Sequence, residues 1–462
     1  MKRIFSFIMF VMSLTQLVVA SDTSVNGIYY DFNTSNGTAT VTYRGAAYNS
    51  YSGEYTGSVT IPSTVTYGSN SYTVTAINAG AFYDCPLLTS VNIQANLTSI
   101  GSNAFYNCSG LLIVNIPNTV TSIGSSAFDG CDNLMYASYD NARYLSNSEN
   151  TYYALIKAQS TSITSCEIHP NCNIIAGSAF EGCSSMTSVD IPAGVTNIGE
   201  NAFYNCASLA SVNIPSGVTS IADGTFGGCV SLSGVTIPSG VTTIGDYSFS
   251  GCSSLTDITI PNGVLTIGDN AFESCTGLTS FVIPNGVKSI GDDVFNNCSG
   301  LTSITIPTSV TDIGEFAFNG CTSLSSLTLP AYVTSVSRGT FYNCTGLSSV
   351  SIPVNVETIE DRAFQGCSSL TTIVLPEIVT AIGDYAFYGC TSLTNVNIPN
   401  GVTEIGLGTF YDCQSLTAID IPNSVTSIGK EAFFDCIGLT SITLPNSVES
   451  VGSNAFRNCT NL

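Results

Sequence analysis

The stretch "CEIHPNC" sets Cys166, His169 and Cys172 at C-x₂-H-x₂-C spacing, and His169 is the only histidine in the chain. Two thiolates and an imidazole so spaced are three of the four donors a zinc ion takes, but no fourth ligand is visible beside them. The other groups able to do chemistry are acids. Asp292 adjoins Asp293 and Glu360 adjoins Asp361, pairings that could serve general acid and base work. A Ser-His-acid triad would have to use His169, and neither a G-x-S-x-G nor a P-loop sequence occurs.

The elements that carry these groups decide between the readings. Sixteen of the eighteen cysteines fall on one lattice: Cys85, Cys108 and Cys131, then every 23rd residue from Cys183 to Cys459. After each lattice cysteine the same slots are apolar. In "CTSLTNVNIPNGVTEIG", Leu393, Val396, Ile398, Val402 and Ile405 follow Cys390, with Pro399 after Ile398. "LTNVNIP" alternates apolar and polar as a half-buried strand does, and Pro399, which cannot donate to a ladder, ends it. "PNGV" is turn chemistry and "VTEIG" a second short extended piece. In "IGDYAFYGC", Gly383 and Asp384 predict a turn and N-cap for a single helical or 3₁₀ turn that drives Phe387 inward. One such coil cannot bury its apolar side alone. The coils must therefore stack, with like strands pairing into parallel sheets.

In this register Cys166 takes the slot of Val189, Cys172 that of Val195, and His169 that of Pro192 at a strand end. Two inward apolar slots favour two buried core thiols; a disulfide between them is the alternative, and a metal site is the least supported reading. Stacked lattice cysteines come close enough for bonding, but their parallel Cβ directions are poorly aimed for it, so buried free thiols facing loop backbone are expected. The paired acids sit in the capping turns, where a catalytic role is not needed to explain them. The sequence predicts no enzyme, no cofactor and no bound metal.

The repeated phrase resembles the BspA-like leucine-rich repeats, also called the Treponema-type class, which read L-x-x-I-x-I-P with a downstream I-G-x-x-A-F-x-x-C. Residues from about Ile77 to the end carry the likeness through sixteen units. It implies a leucine-rich repeat solenoid of stacked 23-residue coils. It also implies secreted or surface-displayed proteins of host-associated bacteria and some parasitic protists, with roles in adhesion to host matrix proteins or to other cells. The resemblance brings no catalytic residues with it.

One unit breaks the period. Cys131 and Cys183 are 52 residues apart, six more than two periods, and the register places the whole insertion in the unit 131–159. That unit brings Tyr139, Tyr144, Tyr152 and Tyr153 and is a candidate binding loop, or else a structural variant of the coil. The strand face offers a second candidate. Positions five and seven after each lattice cysteine should point outward, among them Ser188 and Asp190, Ser211 and Asn213, Ser280 and Val282, Ser303 and Thr305, Ser326 and Thr328, and Asn395 and Asn397. Such Ser, Thr and Asn rows can adhere through many weak contacts, or simply clothe a solvated sheet.

Composition narrows the partners. Of 462 residues, 32 are acidic and 10 basic, for a formal charge of −22, while 44% are hydrophobic. The scattered bases make no footprint for nucleic acid or anionic membrane. Lys2 and Arg3 precede an apolar run that ends in small residues at Ala20, so residues 1–20 read as a signal peptide. Its removal takes two bases and no acid, leaving −24, and no other segment is apolar enough to span a bilayer. Seven sequons, from Asn33 to Asn458, would matter only in a eukaryotic secretory route. Residues 21–76 lack the lattice and alternate as β-hairpins, which predicts an N-terminal cap before a solenoid over 77–462. The sequence ends three residues past Cys459, mid-repeat, which reads as a partial chain. Two functions follow as expectations: an exported protein that binds protein or glycan ligands on host or neighbouring cells, or a structural spacer in which repeats supply length alone.

Overall fold

The computed structural model describes residues 23–462, so the signal peptide expected at 1–20 lies outside the described residues. The chain forms two compact units, one running through Gln159 and including Ile168–Ala179, the other made of Ser160–Glu167 and Phe180–Leu462.

The first unit begins as an antiparallel meander of β1 (Ser24–Val25), β2 (Ile28–Asn33) and β3 (Thr38–Thr42). Asn26 and Gly27 turn its first hairpin at φ of 52° and 79°, the left-handed pair that an Asn-Gly dipeptide adopts at low cost. After β4 (Gly57–Ile61), a second hairpin joins β5 (Thr64–Tyr67) to β6 (Asn70–Ile77). β6 pairs in parallel with β3 and with Ser99–Ile100, and β4 pairs in parallel with Leu88–Ile93. The segment thus supplies one strand to each of two parallel ladders on which the coils stack. The lengthened unit of 131–159 is itself a sheet. Ala137–Tyr139, Ala142–Leu145 and Ala154–Ala158 form an antiparallel meander whose last strand pairs in parallel with Ile174–Ile175.

The second unit repeats one coil. After Cys275, the side chains of Leu278, Phe281, Ile283, Val287, Ile290, Val294 and Phe295 are all buried, as the apolar slots require. Ser280–Val282 pairs in parallel with Ser303–Thr305, and Ser289–Ile290 with Asp312–Ile313, each register offset by 23 residues. Inside, the phenylalanines stack as offset parallel rings: Phe249 on Phe272 at 5.4 Å, Phe272 on Phe295 at 5.9 Å, and Phe295 on Phe318 at 5.7 Å.

The turn before each cysteine departs from the sequence reading. The described residues contain neither α-helix nor 3₁₀-helix. Asn296 N–H, Cys298 N–H and Leu301 N–H donate to carbonyls three residues back, at 3.0–3.1 Å, but Asp293, Phe295 and Asn297 donate instead to Glu315, Ala317 and Asn319 of the next coil at 2.7–2.9 Å. Asp293 and Asn297 reach outward because their φ values are 54° and 59°. A helix would keep every N–H inside its own turn. Here alternate N–H groups build a third ladder between coils, and the helical conformation is lost to it.

All eighteen cysteines are free and buried. Fourteen of the sixteen lattice thiols donate to the phenylalanine carbonyl 26 residues back, as Cys298 does to Phe272 at 3.0 Å and Cys344 to Phe318 at 2.9 Å, whereas Cys85 donates to the Tyr83 carbonyl and Cys183 to that of Ser160. Burial pushes the Cys298 and Cys344 thiols up to about 12, so both stay protonated at neutral pH. A protonated, enclosed thiol is a poor nucleophile. A disulfide-exchange reagent is therefore expected to titrate almost no thiol in the native protein and all eighteen after denaturation; rapid native reaction at lattice positions would contradict this packing.

Candidate functional site

The structure separates the four tyrosines of the lengthened unit. Tyr144 is fully buried, and its hydroxyl accepts the His169 N–H at 3.1 Å. Tyr152 stacks on the His169 ring at 3.8 Å, and Tyr139 meets the same ring edge-on at 4.8 Å. Tyr153 stands apart, its hydroxyl donating to the Val120 carbonyl at 2.8 Å. His169 Nδ1 accepts the Asn171 N–H at 3.1 Å, and Cys172 Sγ donates to the Ile174 carbonyl at 3.2 Å. The imidazole and the Cys172 thiol that suggested a metal thus serve the local fold. The insertion is not a free loop: Tyr144, Leu145, Ala154 and Leu155 belong to the core.

On the strand face, Ser188, Asp190, Ser211, Asn213 and Asn395 are exposed, whereas Asn397 is half-buried. Its side-chain oxygen accepts the Leu375 N–H and its amide donates to the Leu375 carbonyl, both at 2.8 Å, so this half-buried side chain replaces a ladder partner. Ser211 and Asn213 line a groove of about 710 Å³ with Thr236, Asp257 and Thr259. A larger groove, about 1090 Å³, runs over Ser303, Thr305, Ser326, Thr328, Ser351 and Val374. No charged side chain lines the larger one, although the chain carries −22.

Beside that groove lie residues the sequence reading passed over. Tyr332, Val354, Val374 and Ile378 are 63%, 78%, 76% and 50% exposed. Val354 and Val374 line the groove; Tyr332 follows its lining residue Ala331, and Ile378 lies two residues after Pro376. The signal was present in the sequence. Where other coils carry only small or polar residues between Pro and Val, as in "PNGV", "PSGV", "PTSV" and "PNSV", three successive coils read "PAYV", "PVNV" and "PEIV". Several exposed apolar side chains in and beside one groove mark it as a candidate interaction surface.

The family model for the BspA type leucine rich repeat region matches residues 75–157, 152–279, 265–394 and 334–462. The chain belongs to the BspA-type leucine-rich repeat family. A leucine-rich repeat protein from Bacteroides ovatus is 29% identical over 96% of this chain and 93% of its own, with a TM-score of 0.41. A leucine rich cell surface protein from Faecalibacterium prausnitzii is 28% identical over 95% and 93%, with a TM-score of 0.34. No curated protein matches. As a BspA-type repeat protein, the chain is a protein-interaction scaffold.

The acids of this BspA-type chain have structural work. Asp223, Asp246 and Asp269 each accept the backbone N–H of the residue 23 positions on, at 3.0, 2.8 and 2.8 Å, and Asp292 accepts that of Glu315 at 2.7 Å. Asp361 does the same for Asp384 at 2.9 Å. One member of each acid pair considered for catalysis is thereby a stitch between coils. Its neighbour Asp293 is pushed above the usual carboxylate range by burial first, then by Glu273, Asp292, Asp269 and Glu315. A carboxyl with a raised folded pKa binds its proton more tightly in the fold than in the unfolded chain, so ionising it costs stability. Stability is therefore expected to rise as pH falls from neutral through the raised value toward the ordinary value of about 3.9, with nothing further gained from this group below that. Asp293→Asn should raise the Tm at pH 7 and flatten this part of the profile; a variant less stable than wild type at pH 7 would refute the assignment.

Proposed function

We propose that this chain is a non-enzymatic, exported binding or adhesion protein acting at the cell surface, and that the uncharged groove over 302–376 is where it takes a protein ligand. Three successive coils give up their polar turn residues for Tyr332, Val354 and Ile378 beside that groove, and this single observation carries the reading. A spacer needs only uniform coils, and exposing apolar side chains to water would bring it nothing. A binding protein gains from them, because burying an aromatic and three branched side chains against a partner supplies a hot-spot core that a Ser and Thr surface lacks. The neighbouring Ser and Thr rows supply the polar rim. Export is supported by the basic residues and apolar run of residues 1–20.

The test restores the common turn. The mature chain and a variant with Tyr332→Gly, Val354→Asn, Val374→Thr and Ile378→Gly are compared in pull-downs and on matrix-protein and glycan arrays. Because all four side chains are exposed, the Tm should stay within about 2 °C. Capture of a protein ligand by the wild type and its loss in the variant is the expected result. No capture by either form would leave the spacer reading in possession of the field, and unchanged capture would move the site elsewhere.

A further inference from the structure

The coil "ADGTFGGC", residues 222–229, has Gly224, Gly227 and Gly228 where the coil before it has Asn201, Tyr204 and Asn205 and the coil after it has Tyr247, Ser250 and Gly251. A β-carbon on Gly224 would lie 2.1 Å from Asn201 Oδ1, one on Gly227 would lie 2.8 Å from two ring carbons of Tyr204, and one on Gly228 would lie 2.1 Å from Asn205 Oδ1. The side chains of the preceding coil therefore lean over the glycine coil, and the Tyr204 ring rests where a Gly227 side chain would otherwise be. What remains is a notch of about 620 Å³, lined by Tyr204, Tyr247, Asn201, Asp223, Ser250 and Glu273. Tyr247 is 49% exposed at its edge.

The notch is electrically one-sided. Residues 184–337 hold eleven acids and one base, Lys288, and no ion pair among the described residues involves Asp223 or Glu273. Asp223 accepts the Asp246 N–H at 3.0 Å and Glu273 accepts the Ser250 hydroxyl at 3.2 Å. A carboxylate offers about four lone-pair sites, so each retains acceptor capacity toward the notch.

We propose that this notch binds the guanidinium of an arginine side chain presented by a partner polypeptide. A guanidinium is flat enough to lie on a tyrosine ring, carries the charge that the carboxylates of Asp223 and Glu273 attract, and donates in a fork that a carboxylate accepts. A neutral sugar would use the ring faces but would desolvate two anions without compensating their charge. The site uses residues of the turns before Cys206, Cys229, Cys252 and Cys275 and none that line the strand-face grooves, so it stands or falls independently of the groove described above.

A dye-labelled, acetylated Gly-Arg-Gly-Arg-Gly peptide is titrated into the intact chain at low salt and followed by fluorescence anisotropy, beside the same peptide with citrulline in place of arginine. Citrulline keeps the shape and loses the charge, so its binding should be at least about tenfold weaker. Tyr247→Ala and Glu273→Gln, each checked for an unchanged Tm, should weaken the arginine peptide by about fivefold or more. Asp420→Asn, at an exposed acid outside the notch, should leave it unchanged. Four results would overturn the proposal: no binding of the arginine peptide, equal binding of the citrulline peptide, equal loss in Asp420→Asn, or full binding retained in Tyr247→Ala. The third would reduce the effect to general attraction by an acidic surface.

Discussion

Phe295→Ala lowers the stability of the second unit by about 3–5 kcal/mol, the range for truncating a fully enclosed aromatic. Phe295 is fully buried and touches aromatic rings on three sides: Phe272 at 5.9 Å, Phe318 at 5.7 Å and, edge-on, Phe281 at 4.8 Å. In a stack of coils each unit is held by its neighbours, so a cavity here weakens two interfaces together. Phe456 occupies the equivalent slot with only partial burial and one stacked partner, Phe433 at 5.3 Å. Phe456→Ala should therefore cost clearly less. Urea unfolding followed by circular dichroism measures both. Equal costs at the two positions would mean that the ring stack adds nothing to ordinary burial, and the nearest-neighbour account would fail.

The second large effect concerns the segment that the sequence marked for binding. Tyr144→Ala is expected to destabilise the first unit by about 3–5 kcal/mol, because the side chain is fully buried and packs edge-on against Tyr152 at 5.5 Å. Tyr144→Phe keeps the ring and removes the acceptor of the His169 N–H, a loss of about 1 kcal/mol for that bond. Tyr139→Ala, at a partly exposed ring, should fall between neutral and the phenylalanine variant. Thermal unfolding of the three variants decides the matter. If Tyr144→Ala proved nearly neutral, the insertion would be independent of the core, and deleting residues 139–153 would be a clean test of binding. With a large effect, such a deletion removes core and sheet together, and loss of binding could not be separated from loss of fold.

Much of the architecture was readable from residue types alone. A slot filled by Leu, Val, Ile, Phe or Cys every 23 residues has one physical solution, a coil stacked on its own copies, and Leu278, Val287, Ile290 and Phe295 are buried as that demands. The turn before each cysteine was not readable. Local signals such as Gly383 and Asp384 predict a helical turn because they describe a coil in isolation, whereas the next coil offers carbonyls that draw off alternate N–H groups. The same neighbour explains other misplaced expectations. Asn397 looked free because its position points outward, yet the backbone of Leu375 lies within 2.8 Å. Exposed threonines behave alike, as when Thr302 Oγ1 donates to the Thr279 carbonyl at 2.9 Å, so a regular polar row need not exist for a ligand.

The apolar edge at Tyr332, Val354 and Ile378 lay in plain view as a change of turn wording, but its meaning depended on exposure. A tyrosine or valine at a turn can fold inward or face water, and composition does not say which. By itself, then, the sequence determined the period, the inward slots and the repeat family, because these rest on burial repeated many times over. Only the tertiary structure decided which polar groups are consumed between coils, which tyrosines are core, and where apolar surface and unpaired acid remain. Those outcomes depend on groups 22 to 26 residues apart meeting across a coil interface, a distance at which no local pattern in the chain carries the information.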